Sequence, residues 1–241
     1  LYQVWLAPAY DMDVALATNS QRGAGNDRTR YINERPELNL AVQWTNGNQG
    51  ERGQGFGYIG FDFLESPATY PYIIKYDTVI KTQGGTDSVV TRERFVGEDK
   101  KGLLRKDKRF YEEKEQLGLQ TFRNWVIEND PLDNQQRYDF VSTGQKDGDT
   151  DAGDKRFLMS TGPFTFLPGD TARTVVGIIF ARNSKAGQDA DGTIEDLREM
   201  IRVDSFAQEV YNNNFQAPRP PDEAYVKFRG LNNAIMVMWD S

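Results

Sequence analysis

The apolar residues of this chain come in short runs with a period of two, and turn-forming residues separate them. Tyr2, Val4 and Leu6 alternate with Gln3 and Trp5. LNLAVQW (38–44), GYIGFDFLESP (57–67) and YPYIIKYDTVIK (70–81) follow, divided by stretches such as TNGNQGERGQG. Strands half-buried on a sheet alternate in this way, and Gly, Asn and Pro clusters mark the turns between them. This pattern predicts a mostly β fold: an antiparallel β-sandwich, jelly-roll or Ig-like, with one C-terminal α-helix.

The segment RFLMSTGPFTFLPGDTARTVVGIIFARN (156–183) has two apolar runs broken at TGP and PGDT. Its TVVGIIFA run reads as a strand buried on both faces. TFRNWVIEND (121–130) reads as a strand or a helix, with Phe122, Trp125 and Val126 at helical spacing favouring the helix. Residues 84–119 are polar and charge-rich and read as an irregular excursion. Thr193, followed three residues later by Asp196, predicts a capped helix over 194–214, with Ile194, Leu197 and Ile201 on its apolar stripe. The reading therefore divides the chain into a sandwich domain (1–217, helix near 194–214), a Pro-rich linker (218–223) and the first strands of an Ig- or fibronectin III-like module (224–241). It starts LYQVWLAP and ends AIMVMWDS, both strand-like, which suggests a segment of a longer polypeptide.

Composition narrows the chemistry. The 241 residues include neither His nor Cys and carry a net charge of −7. A Cys/His zinc site, a Ser-His-Asp triad and a Cys nucleophile are excluded. The charge disfavours nucleic acid as a partner, because a phosphate backbone repels an acidic chain. No run approaches the roughly 18 apolar residues of a membrane helix, so membrane insertion is not expected.

Three acidic loops are candidates for calcium, which takes about six to eight oxygen ligands. Asp11 and Asp13 form an Asp-x-Asp pair, and Asp27 follows Asn26 after a Gly-rich loop. In KDGDTDAGDK, Asp147, Asp149 and Asp151 match the first odd positions of an EF-hand, with Asp154 beyond them. Ala152 and Leu158 occupy the positions of the required Gly and Glu, so the loop is not an EF-hand. GQDADGTIED (187–196) reads better as a turn feeding the helix. The expected metal ligands are Asp11, Asp13, Asp27, Asp147, Asp149 and Asp151; the expected cofactor is Ca2+ and no other.

Trp5, Trp44, Phe56, Tyr58, Tyr70, Tyr72 and Tyr76 could stack sugars, although core filling is the commoner use of strand aromatics. Glu112, Glu113 and Glu115, or Asp62 with Glu65, would serve a glycosidase only if they converged. The cations from Lys100 to Arg109 read as an exposed excursion or a contact surface for another subunit.

Taken in order, YQVWLAPAYDMD, NDR, PELNLAVQW, GYIGFDFLESP, the 156–183 block and DSFAQEVYNNNFQAPRPP resemble a domain of large proteins exported by the type IX secretion system of the Bacteroidetes, Chlorobi and Ignavibacteria group. YVKFRGLNNAIMVMWDS resembles the start of a fibronectin type III module. The resemblance implies an extracellular or outer cell-surface location and no known catalytic activity. The expected function is therefore a non-catalytic surface or extracellular structural protein, a segment of a larger chain that joins a surface assembly or filament. Its partners would be other copies or other surface proteins. The alternative is a glycan-binding or accessory module of a secreted hydrolase.

Overall fold

The structure, a computed structural model, describes residues 1–14, 24–45, 57–70, 73–83, 86–96, 102–148, 151–185, 190–216, 226–232 and 234–239. For 73–83 and 86–96 only the backbone is described. In chain order the regular elements are β1 (Val4–Leu6), β2 (Ala9–Asp11), β3 (Asp27–Tyr31), β4 (Leu40–Thr45), β5 (Tyr58–Glu65), β6 (Ile73–Gln83), β7 (Thr86–Val96), β8 (Thr121–Val126), α1 (Asn134–Ser142), β9 (Lys155–Phe164), β10 (Val175–Ala181), α2 (Arg198–Asn212), β11 (Val226–Leu231) and β12 (Ala234–Trp239). Two compact units are present, Leu1–Gln208 and Glu209–Ser241.

The first unit holds two four-stranded antiparallel sheets. In one, β9 pairs with β1, β2 and β8. In the other the order is β10-β5-β4-β3. The sheets meet through one apolar cluster: Tyr31, Ala41, Phe61 and Phe63 from the second pack with Phe122, Phe157 and Met159 from the first. Full burial of such side chains contributes on the order of 1.5–3 kcal/mol each. The expected antiparallel sandwich with a C-terminal helix is present.

A third layer covers the outer face of the second sheet. Leu40, Val42, Trp44, Tyr58 and Ile179 point to that side and pack with Leu197 and Met200 at the start of α2. Gly60 makes this approach close, since a Cβ there would sit 2.7 Å from Met200 Sδ. Thr193 opens the turn before α2, its carbonyl accepting from Leu197 N at 3.0 Å. Asp196, however, does not close a capping box. It is fully buried, and its carboxylate accepts from Tyr58 Oη (2.6 Å) and Lys185 N (2.9 Å), which ties the helix entry to β5.

Three expectations fail for identifiable reasons. Residues 121–126 form β8, not a helix. Phe122 enters the inter-sheet core, while Trp125 meets Phe140 of α1 edge-on at 5.3 Å. A strand covered on both faces shows no clean alternation and can mimic helical spacing. Much of 84–119 is not irregular, since β7 pairs with β6 over eleven registered positions. β10 is not buried on both faces: it lies at the end of its sheet, with Ile178 58% and Phe180 67% exposed. In the second unit β11 and β12 form an antiparallel hairpin. Residues 218–223, read as a linker, lie outside the described residues.

Gly192 adopts φ +72, and a Cβ there would fall 2.4 Å from the Trp44 ring. Gly192→Ala is therefore expected to cost about 1–3 kcal/mol. Gly148→Ala, where a Cβ meets nothing within 4 Å, should change stability by under about 0.5 kcal/mol. Thermal melting of the two variants checks this ranking.

Candidate functional site

The carboxylates gather where three chain segments meet at one end of the sandwich. Asp11 ends β2 and Asp13 follows it, while Asp154 immediately precedes β9. One oxygen from each of the three lies within 4.8 Å of the others. Asp11 and Asp13 are exposed and Asp154 is half-buried. Arg156 donates to Asp11 Oδ2 at 2.8 Å and also pairs with Asp130. The Asp154 carboxyl is raised by burial and by Asp13 and Asp11 beside it, against the pull of Arg156.

Asp27 stands beside this group and is fully buried. It shares with Thr29 and Tyr31 the buried face of β3, which Tyr31 carries into the inter-sheet core. Its backbone exchanges two hydrogen bonds with Gly153, at 3.2 and 3.0 Å. Its Oδ2 accepts from Val14 N (3.3 Å) and Gln43 Nε2 (3.2 Å), and its Oδ1 has no hydrogen-bond partner. Burial pushes this carboxyl up to about 7, against those two donors, with Asp13 and Asp154 adding to the rise.

The expected ligands therefore divide. Asp11 and Asp13 come together, while Asp27 lies near them but outside the convergent group. From the KDGDTDAGDK loop only Asp154 joins them, a residue the EF-hand spacing does not single out. Asp147 is engaged elsewhere: its Oδ2 accepts from Arg123 Nε (2.9 Å) and Asn124 N (3.0 Å). Asp151 is exposed and outside the three-carboxylate group. Asp149 lies outside the described residues. In the third loop Asp191 pairs with Lys185 and accepts from Thr193 N at 2.9 Å. Those contacts hold its carboxyl at about 2 even against burial, as a turn residue leading to the helix.

The aromatic set named from sequence does not form a platform. Trp44 and Tyr58 are buried in the core beneath α2. Trp5 and Tyr70 are half-buried, and the side chains of Phe56, Tyr72 and Tyr76 lie outside the described residues. A cleft of about 450 Å³ instead runs beside the acidic group, walled by Tyr10, Trp125 and Phe140, with Asp130, Arg137 and Arg156 at its polar side. Trp125 Nε1 donates to Asp130 at 2.7 Å.

The acidic pairs suggested for glycoside chemistry do not converge. Glu65 pairs with Arg173 at 3.3 Å, and Glu115 with Arg105 and Lys108. These last contacts also occupy part of the basic stretch, where Lys106 pairs with Asp170. Asp62 faces a different partner. It lies 1% exposed on β5, against Asp204 of α2, also 1% exposed, and each has one carboxylate oxygen without a hydrogen-bond partner. Burial raises Asp204 to about 7, with Glu113 adding to it; Asp62 is also raised, by burial and then by Asp204 and Glu113. No sequence signal marks this contact between distant positions on a strand and a helix.

Comparison with protein-family models, curated proteins and solved structures gives no match to this chain.

The Asp62–Asp204 pair makes a signed pH prediction. Both carboxyls are raised in the folded state, Asp204 to about 7, so above about pH 4 the folded state binds more protons than the unfolded chain. The contribution of Asp204 is fully present below about pH 4 and is lost as pH rises through about 7, and that of Asp62 is lost in the same direction. Asp204→Asn should melt close to wild type at pH 4 and clearly above it at pH 8. Equal differences at both pH values would contradict this assignment.

Proposed function

We propose that this chain is a non-catalytic module of an exported cell-surface or extracellular structural protein, and that it assembles with further copies of itself through the edge of β10. The observation that carries the reading is the contrast between the two ends of the second sheet. β3 includes Asp27, Arg28 and Arg30, and Asp27 is bridged to Gly153. β10, by contrast, reads VVGIIFA, with no charge and no proline, and exposes Ile178 and Phe180. Soluble proteins commonly blunt an edge with charge, proline, a bulge or a cover, because its free N–H and C=O groups template further strands. Among the described residues β10 pairs only with β5. A second copy is the fitting partner. The uncharged run sets no like charges opposite one another, whereas broad contact between whole surfaces would bring together chains of net charge −7. Export and the surface location rest on the sequence resemblance to type IX-secreted proteins.

The cleft between Trp125 and Phe140 supports a second reading, in which the module holds a neutral saccharide. Aromatic walls suit the C–H faces of sugars, and Asp130 and Arg156 already balance one another in charge. Calorimetry with a panel of neutral oligosaccharides checks it, with Trp125→Ala expected to weaken any binding at least tenfold.

Sedimentation velocity over a concentration series tests assembly. The wild-type chain should pass from monomer to larger species as concentration rises. Phe180→Lys with Ile178→Lys should remain monomeric with an unchanged melting temperature, since both side chains are exposed. A wild type that stays monomeric throughout, or a lysine variant that associates equally well, contradicts the reading.

A further inference from the structure

Given the association through β10 proposed above, on which this rests, we infer that two copies pair β10 against β10 antiparallel about a two-fold axis at Ile178, so that assembly closes at a dimer instead of running on into a filament. The packing of β10 fixes its two faces. Val176 packs with the inter-sheet cluster, while Ile179 and Ala181 pack on the side of α2. Side chains alternate along a strand, so Ile178 and Phe180 share the face of Val176. Both are nevertheless exposed.

Symmetry then limits the arrangement. Every ladder among the described strands is antiparallel, and antiparallel pairs are the more stable per residue. When two identical strands pair antiparallel and residue i lies opposite j, then j lies opposite i, so the contact is isologous. Opposite residues project to the same face of the sheet. The exposed side chains of the two copies therefore meet only if i and j are both even or both odd, which places the axis at a residue. β10 spans seven residues, Val175–Ala181, and Ile178 is the middle one. An axis at any other residue leaves part of each strand unpaired.

The residues brought opposite one another fit. On the inter-sheet face Val176 lies opposite the partner's Phe180, and Ile178 opposite the partner's Ile178; β-branched and aromatic pairs of this kind are favourable across strands. On the other face Gly177 lies opposite the partner's Ile179 and Val175 opposite the partner's Ala181, a small residue against a larger one each time. The strand VVGIIFA has no charge, so no like charges meet. Because both copies use the same strand, the interface saturates once the two edges have joined. The far end of the sheet offers no second site of this kind, since β3 carries Asp27, Arg28 and Arg30 and Asp27 is bridged to Gly153. A module of this type joins longer chains in pairs and does not extend an open array.

The chain has no cysteine, so an introduced thiol reports the register without background. Sedimentation equilibrium of the whole chain should level off at the mass of two chains. Under mild oxidation Ile178→Cys should form a disulfide-linked dimer, because opposed residues have Cα atoms about 4.5–5.5 Å apart, within disulfide reach. Phe180→Cys alone should not, since its two copies lie four residues apart along the strands, roughly 13 Å. Chains carrying Val176→Cys mixed with chains carrying Phe180→Cys should cross-link, which shows that the Phe180 variant still associates. Reduced Ile178→Cys and Phe180→Cys should melt like wild type, as both sites are exposed. Species larger than two chains that Ile178→Lys with Phe180→Lys abolishes overturn closure and leave association through β10 standing. Cross-linking of Phe180→Cys as fast as Ile178→Cys, or none in the mixture, overturns the register. A wild type that stays monomeric at every concentration overturns this inference together with the association on which it rests.

Discussion

Strand β5 is covered on both faces, and most of the molecule's other features follow from that. Phe61 and Phe63 serve the inter-sheet core, while Tyr58 and Gly60 lie under α2. A central strand of this kind leaves little room for adjustment. Gly60 lets Met200 approach, Tyr58 Oη reaches the buried Asp196, and Gly192 sits against Trp44. The same packing traps Asp62 against Asp204, two acids with little access to water. Such a pair is stable only while a proton neutralises at least part of its charge, so the helix layer depends on pH.

Much of the architecture is legible in the sequence because period-two alternation records a face in water and a face in the core. LNLAVQW and GYIGFDFLESP both form strands, and the Thr193 region does open the C-terminal helix. Legibility fails where that contrast disappears. β8 is covered by Phe157 and its neighbours on one side and by α1 on the other, so Phe122 and Trp125 read as a helical stripe. β10 fails in the opposite sense: its uniform apolar run suggests an interior strand, yet it closes the sheet as an edge. Hydrophobicity alone cannot distinguish a strand buried in its own fold from one left open.

The acidic group illustrates a second limit. Asp-x-Asp spacing singles out Asp11 and Asp13, which lie with Asp154 in one carboxylate group. Local spacing within KDGDTDAGDK favours Asp147, Asp149 and Asp151, whereas pairing of β9 with β2 and β8 delivers Asp154. Register across a sheet, not separation along the chain, decides which carboxylates meet. Asp147 has the more ordinary task of holding the backbone of β8. Electrostatics and topology thus converge at one end of the sandwich, while the opposite need, an edge without charge, is met at β10.

Residue-resolved hydrogen exchange in dilute solution tests the layered account most directly. The amides of β4 and β5 should exchange slowest, near the rate of global unfolding, and the β10 amides directed away from β5 should exchange far faster. Uniform slow exchange across β10 in the monomer, or β5 amides opening as readily as those of β10, would contradict an interior β5 with an open edge beside it.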